Sequence, residues 1–98
     1  MRAHILISGM VQGVGLRFYM KDRANELGIT GWVKNRKDGR VEAVLQRLNG
    51  WPEVEDDKEK IEEMIELCRR GTALAQVTNV EVKWDHSYDD LLTDFEIR

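Results

Sequence analysis

Ala3-His4-Ile5-Leu6-Ile7-Ser8-Gly9-Met10-Val11-Gln12-Gly13-Val14-Gly15-Leu16-Arg17-Phe18-Tyr19-Met20 changes its periodicity twice. Up to Ser8 the pattern alternates, with Ala3, Ile5 and Ile7 on one side and His4 and Leu6 on the other, as in a strand with one buried face. Gly9 to Gly15 has no period and carries three glycines. From about Arg17 the apolar residues Leu16, Met20, Ala24 and Leu27 recur at helical spacing, and Gly28 is a natural stop. A strand that passes through a glycine loop into a helix is the first half of a βαβ unit.

The rest of the chain completes it. Residues 29–35 and 40–48 read as two strands joined around Lys37-Asp38-Gly39, a hairpin signal. Asn49-Gly50-Trp51-Pro52 breaks the pattern and leads into an acidic stretch. Asp56 with Glu59 resembles a capping box, and Ile61, Met64, Ile65 and Cys68 form the apolar stripe of a second helix. Arg69 and Arg70 suit its negative end, and Gly71 stops it. Residues 77–84 alternate again, with Val80, Val82 and Trp84 on one face, and Phe95-Glu96-Ile97 can add a short terminal strand. The order β-α-β-β-α-β predicts an α+β, ferredoxin-like sandwich in which two helices cover one face of an antiparallel sheet. No repeat or linker divides the chain, so residues 1–98 are expected to form a single domain.

Composition narrows the function classes. A hydrophobic content of 42% with 34% charged residues is that of a soluble globular protein rather than a disordered one. One cysteine cannot form an internal disulfide, which fits a reducing, cytoplasmic setting. Ile5-Leu6-Ile7 is too short for a signal peptide, and no run approaches a membrane span. The net charge of −3 hides an asymmetry: residues 1–40 carry eight Lys/Arg against three acids, and residues 41–98 carry seven against fifteen. An anionic ligand would be drawn to the first half, although differently solvated faces would give the same asymmetry.

The loop after the first strand is the leading candidate for chemistry. Glycines let backbone N–H groups turn inward and a helix N-terminus adds positive potential, which favours anions. No Gly-Lys-Ser/Thr occurs, and Phe18 stands where a dinucleotide fingerprint needs glycine. Glycine content alone fits a plain tight connection equally well. Arg17, at the entry to the helix, could turn its planar fork back over the loop to grip a phosphate, or could simply pair with a surface acid. His4, His86 and Cys68 lie in three distant elements and make no metal motif. Cys68 reads as a core residue, and the pairs Asp56-Asp57 and Asp89-Asp90 read as capping or solvated acids.

Gly9-Met10-Val11-Gln12-Gly13-Val14-Gly15-Leu16-Arg17 resembles the acylphosphatase signature, a Gly-x-Val-Gln-Gly-Val-Gly-Phe-Arg-like loop after the first strand. Gly31-Trp32-Val33-Lys34-Asn35-Arg36, followed by Asp38-Gly39-Arg40-Val41-Glu42, is similar to the family's second motif, and the likeness continues to Phe95-Glu96-Ile97-Arg98. The resemblance implies the fold already read from the periodicity. It also implies hydrolysis of small-molecule acyl phosphates to a carboxylate and inorganic phosphate. The amides of Gln12, Gly13, Val14, Gly15 and Leu16, together with Arg17, would bind the phosphoryl group, and Asn35 would hold the attacking water. No cofactor, metal or covalent intermediate is implied. No nucleic-acid or membrane partner is expected, and a monomer is the default.

Three departures from the family pattern stand out. Leu16 replaces a usual Phe, Gly71-Thr72-Ala73 replaces a Gly-Pro-Pro turn, and residues 48–57 make a longer connection. That connection is expected to lie away from the site, because its acids would oppose an anionic substrate, with Trp51 sealing the core edge or touching a second subunit. The main rival reading is a non-catalytic anion-binding or regulatory module of the same fold. A carbamoyl-phosphate-handling domain of a larger maturation protein is a related reading, which the independent length of the chain opposes. An RNA-recognition module shares the topology, but its Lys/Arg-Gly-aromatic strand motif is missing and the last three strands are acidic.

Overall fold

The alternation of the first residues becomes strand β1 (Arg2–Met10), and the helical spacing after it becomes helix α1 (Leu16–Leu27). The computed structural model describes residues 1–47, 55–85 and 92–98, with the side chains of Glu55 and Asp56 left aside. Within them follow β2 (Thr30–Asn35), β3 (Val41–Gln46), α2 (Glu55–Arg70), β4 (Gln76–Asp85) and β5 (Phe95–Ile97). Gly28 caps α1 in the left-handed conformation, with its N–H bonded to the Ala24 carbonyl. Gly71 ends α2 in the same way, at φ 63°.

The strands lie in the order β4-β1-β3-β2-β5 among the described residues. β1 pairs antiparallel with both β3 and β4, and β2 pairs antiparallel with β3. The terminal strand joins as a parallel edge on β2, Gly31 against Phe95 through Val33 against Ile97, so the sheet is mixed at that edge only. Ala3, Ile5 and Ile7 of β1 are fully buried against Leu16, Met20 and Ala24 of α1 and against Ile61, Met64, Ile65 and Cys68 of α2. Both helices therefore cover the face to which the odd-numbered residues of β1 point. Cys68 is part of this core, and burial pushes its thiol up to about 12, which leaves it no nucleophilic role near neutral pH.

The end of the sheet where β1 begins is closed by a buried ion pair. Arg47, just past β3, donates from Nη1 to Asp57 Oδ1 at 2.8 Å and from Nε to the Leu27 carbonyl at 3.2 Å. Asp57 is completely buried and Arg47 is 14% exposed. This corrects the sequence reading of Asp57 as a capping or solvated acid; the side chain of Asp56 lies outside the described residues. Helix α2 already contains Glu55 and Asp56, so it begins before the expected cap, and Asp57 is a core carboxylate in its first turns. Asp57 sits there because one guanidinium joins β3, the carboxyl end of α1 and the amino end of α2. The connection holding Trp51, and the pair Asp89-Asp90, fall outside the described residues. Arg47 and Asp57, which bracket that connection, both lie at the sheet end opposite the loop.

Removing one member of such a pair leaves an uncompensated buried charge. Arg47→Ala should destabilise the protein by about 3–5 kcal/mol. Urea denaturation is expected to return a lower midpoint at an unchanged slope. The Arg47→Ala/Asp57→Ala double variant should lose less than the sum of the singles.

Candidate active site

Four residues in register run across the sheet near its other end: Val80 of β4, Ile7 of β1, Val41 of β3 and Asn35 of β2. Directly paired residues share a face. Asn35 is thus the polar end of a row whose other members are core, and it opens on the helix-covered side. Its Oδ1 is buried and has no hydrogen-bond partner among the described residues. Most buried acceptors are satisfied, so this atom calls for an explanation.

β1 continues past Ile7 to Met10, with a bulge between Ser8 and Gly9 that turns the strand end. At Gly9 a Cβ would stand 2.0 Å from the Gln76 carbonyl oxygen, so no other residue fits that close approach to β4. The loop then turns on Gly13 and Gly15, both left-handed, at φ 74° and 77°. Space does not dictate these two glycines, since a Cβ at either would meet nothing within 4 Å; the dihedrals do. Gly15 is the N-cap of α1 and offers no side-chain cap. The first amide to find a partner is that of Tyr19, bonded to the Gly15 carbonyl at 3.1 Å. Among the described residues, no acceptor is paired with the backbone N–H groups from Gln12 through Phe18. Helix starts leave such donors orphaned, and left-handed turns gather them into anion-binding concavities.

Two side chains hold this loop in place. Gln12 Nε2 donates to the carbonyls of Arg36, at 2.7 Å, and Arg40, at 3.0 Å. The loop is thereby tied to the residue that follows Asn35, over the start of β3. From the other side, the Thr72 hydroxyl donates to the Val14 carbonyl at 2.8 Å. Sequence reasoning assigned Gln12 only a backbone amide, and it noted Thr72 only as a departure from a Gly-Pro-Pro turn. The signal for Thr72 was present all the same: it brings a hydroxyl donor to a turn where prolines offer none.

The hairpin that Gln12 grips is itself rigid. Asp38 accepts from Arg40 Nη2 at 2.7 Å, from the Arg40 amide at 3.1 Å and from Arg36 Nε at 3.0 Å. These bonds, that of the Arg40 side chain foremost, hold the Asp38 carboxyl well below the usual carboxylate range. A depression of about 440 Å³ borders the hairpin, lined by Lys34, Asn35, Arg36, Lys37, Asp38 and Glu42. A second depression, between α2 and β4, includes Lys58, Glu62, Arg69 and Trp84 and no residue of the loop, so it is set apart from this geometry.

The cations differ in their freedom. Arg36 is engaged by Asp38 and Glu42, and Arg40 by Asp38. Arg17, half-buried in the first turn of α1, has no carboxylate or carbonyl partner among the described residues. Leu16 beside it is fully buried, so the change from Phe affects the packing beneath the loop and not its amides. His4 lies on the open face of the sheet, its Nε2 2.6 Å from Glu42 Oε2, and belongs to neither group.

The structure thus brings the loop and Asn35 to one end of the sheet, with Arg17 in the first turn of the helix that follows the loop. The sequence profile of the family described as Acylphosphatase matches residues 3–97. A protein of Thermococcus kodakarensis named acylphosphatase is 48% identical over 84 residues, which are 86% of this chain and 82% of that one. One from Anaeromyxobacter sp. is 43% identical over 97 residues, 99% of this chain and 94% of that one. The crystal structure of acylphosphatase from Bacillus subtilis aligns with a TM-score of 0.84 at 29% identity, covering 99% of this chain and 97% of that one. On its sequence and on its fold alike, this chain belongs to the acylphosphatase family.

Proposed function

We propose that the chain hydrolyses acyl phosphates, binding the phosphoryl group on the amides of residues 12–16 and on Arg17, and directing water with Asn35. As a member of the acylphosphatase family it is a hydrolase. The observation that carries the assignment to residues is a coincidence of unsatisfied groups. A run of unpaired backbone donors and one buried, unpaired amide oxygen lie at the same end of the sheet, where Gln12 ties the loop to the residue after Asn35.

The two sets of groups have complementary chemistry. The donors and the Arg17 guanidinium can stabilise negative charge on the equatorial phosphoryl oxygens, as phosphoryl transfer requires. The Asn35 oxygen can accept one proton of a water and so aim the water's lone pair at phosphorus. Attack forms a bond from the water oxygen to phosphorus while the bond from phosphorus to the acyl oxygen breaks. The electron pair leaves on the carboxylate. The water's proton passes to a phosphoryl oxygen, giving carboxylate and dihydrogen phosphate. A carboxylate leaves readily without a strong general acid, and an amide cannot act as a base near pH 7, so catalysis rests on positioning and charge. A cytoplasmic setting is consistent with the lone, reduced Cys68.

Initial rates on benzoyl phosphate in the presence of a chelator test this reading. Turnover with competitive inhibition by inorganic phosphate is expected; phosphate binding without turnover would favour an anion-binding module instead. Arg17→Ala should lower the rate by about 10²–10³-fold and weaken phosphate inhibition, since one preorganised charged donor is lost. Wild-type phosphate affinity in that variant would make Arg17 a bystander. Asn35→Ala should lower kcat strongly with little change in KM, because the phosphate ligands remain. Asn35→Asp should fail to restore it, since a carboxylate repels the anionic substrate. A raised KM with normal kcat would assign Asn35 to binding.

A further inference from the structure

We propose that Thr72 is a positioning residue for phosphate binding: its hydroxyl, presented by the turn after α2, holds the peptide between Val14 and Gly15 in the orientation that offers the Gly15 N–H to the phosphoryl group. This inference rests on the assignment of the loop amides to phosphate given above.

The local chain leaves that peptide two orientations. A trans peptide carries its C=O and its N–H on opposite sides, so the direction of the Val14 carbonyl sets that of the Gly15 N–H. Turning the plane over changes only ψ of Val14 and φ of Gly15. Gly15 stands at φ 77°, but glycine occupies negative φ about as readily. The space around it is open, since a Cβ there would meet nothing within 4 Å. The Val14 side chain packs against the core, so the residue itself is anchored while its peptide is not. The next peptide differs: the Gly15 carbonyl accepts from the Tyr19 amide at 3.1 Å and is thereby part of the helix. Helix formation thus fixes the Leu16 amide and leaves the Gly15 amide undecided.

Thr72 decides it. The bond from its hydroxyl to the Val14 carbonyl, 2.8 Å long, exists in only one of the two orientations. In that orientation the Gly15 N–H points away from the Thr72 turn. In the other, the Val14 carbonyl oxygen would take its place and repel an anion. The hydroxyl can select between them because the turn that carries it is fixed. The Gly71 amide donates to the Leu67 carbonyl at 2.9 Å, and the Ala75 amide donates to the Thr72 carbonyl at 3.1 Å. The Tyr19 hydroxyl donates to the same Leu67 carbonyl at 3.4 Å, which ties the start of α1 to the end of α2 beside this contact. Without the Thr72 hydroxyl, a smaller fraction of molecules would hold the binding-competent peptide, and apparent affinity would fall by that fraction. Bound phosphate would still select the competent form, so the chemical step would be spared.

Thr72→Val removes the hydroxyl and keeps the branched shape, whereas Thr72→Ser keeps the hydroxyl. The test measures benzoyl phosphate hydrolysis with inorganic phosphate as inhibitor. In Thr72→Val, KM and the phosphate inhibition constant are expected to rise by the same factor, about 3–10-fold as for one lost hydrogen bond, with kcat near the wild-type value. Thr72→Ser should return both constants to the wild-type range. Thr72→Ala should match Thr72→Val, and it carries the test if valine does not fit the turn. A lower urea midpoint with both constants unmoved would make Thr72 a purely structural residue and overturn the proposal. Equal loss in Thr72→Ser, or a fall in kcat at an unchanged inhibition constant, would overturn it too. Wild-type protein that phosphate does not inhibit, or whose Gly15 amide resonance stays in place as phosphate is added, would overturn the underlying reading of the site instead.

Discussion

Backbone N–H groups withdrawn from a strand or helix must find acceptors, and the loop between β1 and α1 leaves a run of them without any inside the chain. A loop with so little internal hydrogen bonding keeps its shape only if something outside holds it. Three contacts do so: the two bonds from Gln12 to the hairpin carbonyls, the Thr72 hydroxyl on the Val14 carbonyl, and the close approach of Gly9 to β4. Each comes from a different direction. Together they fix the backbone while leaving its donors unused, the condition for an anion site that needs no rearrangement on binding.

The two ends of the sheet divide the work of the molecule. At the end where β1 begins, Arg47 and Asp57 join two helices and a strand through a buried ion pair. At the other end the polar groups are left unsatisfied, on Asn35 and along the loop. The ion pair is itself incomplete, since Asp57 Oδ2 is buried without a hydrogen-bond partner among the described residues. The apolar layer between the two ends, from Ala3 through Ile7 and across to the two helices, keeps them from moving independently.

Charge follows the same division. The basic first half of the chain does not present a uniformly positive surface, because Arg36 and Arg40 are committed to Asp38 and Glu42. Those pairs stiffen the hairpin that Gln12 grips. Arg17, by contrast, has no acidic partner among the described residues.

The sequence by itself determined the elements and their order. Periods of two and of about 3.6 in the apolar residues, with stops at Gly28 and Gly71, are local properties that any fold must respect. It also marked the loop and Arg17 as groups to examine, since glycine at left-handed turns and a fork at a helix entry are local too, whereas Asn35 was singled out only by the resemblance of residues 31–36 to the family's second motif. Tertiary structure alone decided the rest. The partner of Asp57 lies 10 residues away, that of the Gln12 side chain 24 and 28, and that of Thr72 58, all across element boundaries. No periodicity encodes such pairings. The parallel addition of β5 to β2 belongs to the same class, as does the sidedness of Asn35 against β4, which arises from strand order. Residue types limit what a side chain can do, but which atom it meets depends on neighbours that folding alone brings together.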